Sequence, residues 1–151
     1  MNLSPHFTLQ ALIASETATR RGIDNHPPTE LLDNLRRLAL GLEEVMVITG
    51  GKPLTINSGY RSAALNAAVG GVATSMHTQG LAADILCPAF GSPFELCRAS
   101  AAAPLEFDQV IHEFGRWCHV AFAPAGRAPR RQALTIASAA RGYEDGILPV
   151  D

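Results

Sequence analysis

Cysteine is scarce in this sequence. Cys87, Cys97 and Cys118 are the only three, an odd number without paired spacing. A disulfide framework is thereby excluded, and buried free thiols in a reducing compartment are expected. Long hydrophobic runs are missing: no eighteen consecutive apolar residues occur, so no membrane span is predicted. Basic charge is not in excess either. Twelve Lys and Arg stand against fourteen Asp and Glu, for a formal net charge of −2. Nothing in that balance draws the chain to nucleic acid or anionic lipid. The opening residues, Met1 to Phe7, have no basic segment followed by an apolar one and do not read as a signal peptide. Synthesis in the cytoplasm is expected, and a substrate beyond the membrane would require export by another agent. Internal repeats and low-complexity linkers are absent.

What is present suits one globular domain. The chain has 151 residues, 47% hydrophobic and 17% charged, with thirteen Gly and ten Pro. A chain of that length buries roughly 68–70% of its unfolded surface without staples. Leu9, Leu12 and Ile13 predict one or two short helical turns in 8–20, broken at Arg21-Gly22. The best helix is predicted over 29–48, with Thr29 as N-cap, an apolar stripe of Leu31, Leu35, Leu38, Leu42 and Val45, and Gly50-Gly51 as its stop. Residues 53–59 and 81–87 read as strands, 62–69 and 92–102 as helices. Residues 107–113 and 117–122 are β-rich runs around a hairpin signal at Phe114-Gly115-Arg116, and 132–137 is a further strand. The order predicts a single compact α+β domain over 1–138, a small, mostly antiparallel sheet flanked by helices, with a loosely held tail over 139–151. Arg127, Arg130 and Arg131, beside prolines, read as a solvated loop.

Three residues are out of place. Asp84 lies inside Ala-Ala-Asp-Ile-Leu-Cys, where an ionised carboxylate must be paired, hydrogen-bonded or coordinated. His119 lies inside Trp-Cys-His-Val-Ala-Phe, and His77 follows Ser75-Met76. Taken singly, a strand histidine is ordinarily a satisfied core residue, and a strand aspartate ordinarily pairs with Arg or backbone amides. Taken together, two imidazoles and a carboxylate form a donor set suited to catalytic zinc, with a fourth position left for water.

The surrounding residues sharpen this. Ser58-Gly59-Tyr60-Arg61-Ser62 precedes Asn66, then Ser75-Met76-His77-Thr78-Gln79-Gly80-Leu81-Ala82-Ala83-Asp84, and later Trp117-Cys118-His119. Over about residues 7–123 this resembles the zinc D-alanyl-D-alanine carboxypeptidase and L-alanyl-D-glutamate endopeptidase family, which includes phage endolysins and shares its fold with the Hedgehog signalling domain. The family pattern Ser-x-His-x-x-Gly-x-Ala-x-Asp with a downstream Trp-x-His is met at every fixed position. The resemblance implies a Hedgehog/DD-peptidase-like fold, one zinc ion on His77, Asp84 and His119, and a peptidoglycan stem peptide as substrate. It also implies substrate contacts from Arg61, whose planar guanidinium suits a carboxylate or polarised carbonyl, and from Ser75, for which a turn role is the alternative.

Hydrolysis further calls for a general base. With a three-residue loop at 114–116, Glu113 pairs with Trp117 and shares a face with His119; a two-residue loop brings His112 round instead. The resemblance favours a carboxylate, hence Glu113, although some members carry that acid where Arg116 stands. Gln109 shares the face of Glu113 and is a candidate to support the site; Trp117 reads as core. The function expected is a peptidase, probed against a rival of another class, a non-catalytic zinc-containing module that binds cell wall or virion. A monomer in a phage or prophage lysis setting is the expected context.

Overall fold

Hydrophobic periodicity decides where the helices lie in the computed structural model, which describes residues 1–151. Two short helices open the chain, α1 (Leu9–Ile13) and α2 (Glu16–Arg21), capped by the hydroxyls of Thr8 and Ser15. Thr29 does not cap the long helix. It begins a 3₁₀ turn, Thr29–Leu31, with the extended Pro28 before it, and α3 follows over Leu32–Ile48. The predicted stripe is the face α3 buries: Leu35, Leu38, Leu42 and Val45 are fully enclosed, while Leu31 is half-buried at the edge. Truncation of any one of these leucines to Ala costs about 2–5 kcal/mol. Gly41 lies on the same face because the Phe122 ring occupies the space a side chain would need.

The remaining helices are α4 (Ala63–Ala68) and α5 (Pro93–Ala102). Ser92 and Glu95 close a reciprocal capping box on α5, with Pro93 at its first position.

Six strands make one sheet: β1 (Thr55–Ser58), β2 (Ala82–Leu86), β3 (Gln109–Glu113), β4 (Trp117–Ala121), β5 (Gln132–Ile136) and β6 (Tyr143–Asp145). Their spatial order is β1-β2-β4-β3-β5-β6, antiparallel except for the β3–β5 pair. The fold is therefore the α+β domain with a mostly antiparallel sheet that the element order predicts. One face of the sheet packs Ile85, Val110, Cys118 and Val120 against α3 and α5 in the main core. Cys87, Cys97 and Cys118 are all free and buried there.

The arginine-rich segment is not simply solvated. Asp108, wholly buried just before β3, accepts from Arg130 at 2.7 Å and Arg127 at 2.9 Å, and also from the Arg130 backbone N–H at 3.0 Å. Arg131 stacks on Phe107, 4.7 Å from the ring centroid, and donates to the Leu105 carbonyl. A buried carboxylate must be matched, and these side chains match it. The residues after 138, expected to be loose, supply a strand. Thr135 Oγ1 donates to the Gly146 carbonyl and accepts from Leu148 N–H, while His112 Nδ1 reaches the Leu148 carbonyl at 2.8 Å.

Candidate metal centre

Register places the three anomalous residues. In the sheet, Ser58 pairs with Asp84, Asp84 with His119, and His119 with Ile111. Paired residues project to one face, so Asp84 and His119 stand side by side on the face opposite the main core. His77 arrives from a 3₁₀ turn, Met76–Gln79, that ends at Gly80 with φ of 71°. A left-handed residue is required there, and glycine meets it without strain.

The result is a buried cluster. His77, Asp84 and His119 are 3%, 3% and 7% exposed, and one ligand atom from each lies within 4.8 Å of the others. Asp84 Oδ1 is 3.2 Å from His77 Nε2 and 3.1 Å from His119 Nδ1. Zinc ligands at tetrahedral angles and ordinary bond lengths stand about 3.3 Å apart. The spacing and the chemistry of the donors therefore fit a single zinc ion. His77 Nδ1 lies 2.7 Å from the Gly59 carbonyl. A proton on Nδ1 donated to that carbonyl leaves Nε2 free as the ligand, the arrangement by which histidine ligands are normally oriented. Residue 59 must be glycine because the Leu12 carbonyl fills the space where a Cβ would stand.

Charge in the cluster is strongly coupled. Burial works against ionising Asp84, yet hydrogen bonds from His119 and His77 and their charges outweigh it and hold the carboxyl far below the usual range. Burial likewise opposes a proton on His119, while the Asp84 hydrogen bond and charge raise its pKa. An ionised carboxylate between two imidazoles is a place a cation can occupy.

The hairpin takes the three-residue alternative. Glu113 pairs with Trp117 and Ile111 with His119, with Phe114 and Gly115 at φ of 60° and 69° in the turn. Glu113 thus joins the site face, its Oε2 4.0 Å from His119 Nδ1. Burial pushes its carboxyl up, opposed by the charge on His119. His112 lies on the other face, tied to the tail. Trp117 has a role the sequence reading missed. It is half-buried, and its indole N–H donates to Glu113 Oε1 at 2.7 Å, which leaves Oε2 turned to the cluster. A residue opposite a hairpin acid is the only signal that could have shown it.

Arg61 lies on the far side of Asp84. Its Nε donates to Ser58 Oγ at 3.0 Å, one Nη to Asn66 Oδ1 at 3.1 Å and the other to Asp84 Oδ2 at 3.3 Å. Of five guanidinium N–H groups, two remain for another partner. Asn25, also absent from the sequence reading, holds this turn: its amide donates to the Ile13 and Tyr60 carbonyls and accepts from Ser62 N–H. Ser75 Oγ accepts from His77 N–H at 3.2 Å, capping the 3₁₀ turn. Gln109 shares the site face but is not brought to the cluster; its amide donates to Gln132 at 2.7 Å.

A buried His-Asp-His donor set, with an adjoining half-buried carboxylate on the open face of an α+β sheet, is the plan of a metallopeptidase. Residues 5–121 match the family model described as Peptidase M15, and the chain belongs to that family. Its peptidases are typically zinc-dependent, in keeping with the donor set present. No curated protein matches the chain.

Proposed function

We propose that the protein is a zinc peptidase that hydrolyses an amide bond in peptidoglycan stem peptides, of the D-Ala-D-Ala carboxypeptidase or L-Ala-D-Glu endopeptidase type. The observation that carries this reading is the position of Glu113: a carboxylate with a raised pKa and one free oxygen, 4.0 Å from a histidine of the donor set. His77, Asp84 and His119 would hold the ion. When bound, zinc supplies Lewis acidity, polarising a carbonyl and making water acidic near neutral pH.

The chain's own groups supply the rest. Glu113 Oε2 accepts the proton of the attacking water and returns it to the leaving amine. Trp117 holds the other oxygen, so the free one keeps its aim. Arg61 offers its two uncommitted N–H groups to the substrate carbonyl or a terminal carboxylate, where charge develops during attack. Its bond to Asp84 Oδ2 fixes the guanidinium beside the scissile bond, and Ser75 shapes the turn that carries His77.

Glu113→Gln tests the reading. The variant should bind one equivalent of zinc like the parent, with hydrolysis lowered by a factor of about 10² to 10⁴. Retained hydrolysis would remove Glu113 from the reaction. A parent protein that binds zinc and cuts no wall material would instead favour a binding module on the same fold.

A further inference from the structure

The face that carries the cluster continues past Glu113 to the edge of the sheet. Glu113 pairs with Ile136, and Ile136 with Tyr143; one row over, Ile111 pairs with Leu134, and Leu134 with Asp145. Because paired residues share a face, Tyr143 and Asp145 project on the same side as His119 and Asp84. Ile111, Leu134 and Ile136 form a small apolar cluster between them, separate from the main core. These three are buried, and the face runs on from Arg61 at one end to β6 at the other.

At β6 the face is exposed to solvent. Tyr143 is 60% exposed, and Asp145 is exposed and makes no ion pair. Glu144, on the opposite side of the strand, is taken by Arg141 at 2.8 Å. Partial burial and the nearby charge of Glu113 both raise the Tyr143 phenol. The whole of β6 lies outside residues 5–121, the part matched by the family.

The geometry points to β6 as a substrate subsite: Tyr143 and Asp145 receive an amine-bearing residue of the peptide whose bond is cut at the His77–Asp84–His119 centre. An exposed aromatic ring beside an unpaired carboxylate suits an ammonium group on an aliphatic stem. From β4 to β6 is three strand spacings, about 14 Å. An extended peptide advances about 3.3–3.6 Å per residue. Allowing for the reach of a lysine-like side chain, the amine belongs to a residue about two to four positions from the scissile carbonyl. This inference rests on the peptidase reading above, which places the scissile bond at the metal centre.

The test is a binding measurement on zinc-loaded Glu113→Gln protein, which removes turnover. Calorimetric titration compares a synthetic wall stem peptide containing lysine with the same peptide acetylated on Nε. Acetylation should weaken binding about fivefold or more. Asp145→Asn and Tyr143→Ala, each added to Glu113→Gln, should erase that preference and leave the acetylated peptide's affinity within about twofold. Tyr143→Phe should keep it. An equal preference in the Asp145→Asn and Tyr143→Ala proteins overturns the inference, as does no amine preference or no binding by the starting protein. The peptidase reading fails separately. Intact amine preference with a parent that cuts nothing would sink catalysis and spare the subsite; hydrolysis without the preference would do the reverse.

Discussion

At the scale of residues, the cluster that could hold a metal was legible because two of its three members break a local rule. Asp84 and His119 interrupt strand-like apolar runs, where a polar group needs a partner. Register arithmetic also carried Glu113, since a three-residue turn puts it on the face of His119. Trp117 was not legible as a partner of Glu113, because an indole beside a hairpin reads first as core. Its N–H bond gives an expectation. Trp117→Phe keeps the ring and removes the donor, so Glu113 should lose its fixed aim. A fall in kcat of about tenfold or more, from the loss of about 1.5–3 kcal/mol for one hydrogen bond to a charged group, should appear with zinc content unchanged. Loss of zinc instead would mean that Trp117 supports the ligands and not the base.

At the scale of elements, helices and strands followed the hydrophobic pattern, and the misses arose where distant segments meet. Thr29 is not the cap because a 3₁₀ turn, Thr29–Leu31, comes before the α-helix. Arg127, Arg130 and Arg131 read as solvated because their partners, Asp108 for the first two and Phe107 with the Leu105 carbonyl for the third, lie about twenty positions earlier and meet them beside the parallel β3–β5 pairing. Gln109 was drawn away from the site by Gln132 through the same pairing. The tail reads as loose until Thr135 and His112 are seen to hold it. The Asp108 clamp has a pH signature. Burial raises its carboxyl, but Arg130 and Arg127 outweigh that and lower it. A folded pKa below the unfolded value stabilises above the unfolded pKa of about 3.9 and loses that contribution as pH falls through the folded value. Asp108→Asn should therefore lower stability by about 1–3 kcal/mol at pH 7, and the gap in Tm between variant and parent should close below about pH 4. A gap that persists unchanged at pH 3 would mean that packing, not charge, is what the aspartate supplies.

At the scale of the whole molecule, the sheet separates two tasks. One face packs on α3 and α5 in the main core; the other carries the donor set, with Glu113 and Arg61 beside it. No helix is long and apolar enough to cross a membrane. A rigid sheet suits a site whose ligands must stay about 3.3 Å apart, because small shifts in register would break it. In the proposed reaction the choice of bond would depend on side chains across the whole face, which a motif spanning His77, Asp84 and His119 does not encode. The most direct measurement is mass spectrometry of purified peptidoglycan after incubation with the protein, with and without a zinc chelator. The expected result is release of defined stem-peptide fragments that chelation abolishes and added zinc restores. Zinc-loaded protein that releases nothing from any wall type, or release that a chelator leaves untouched, would contradict the account.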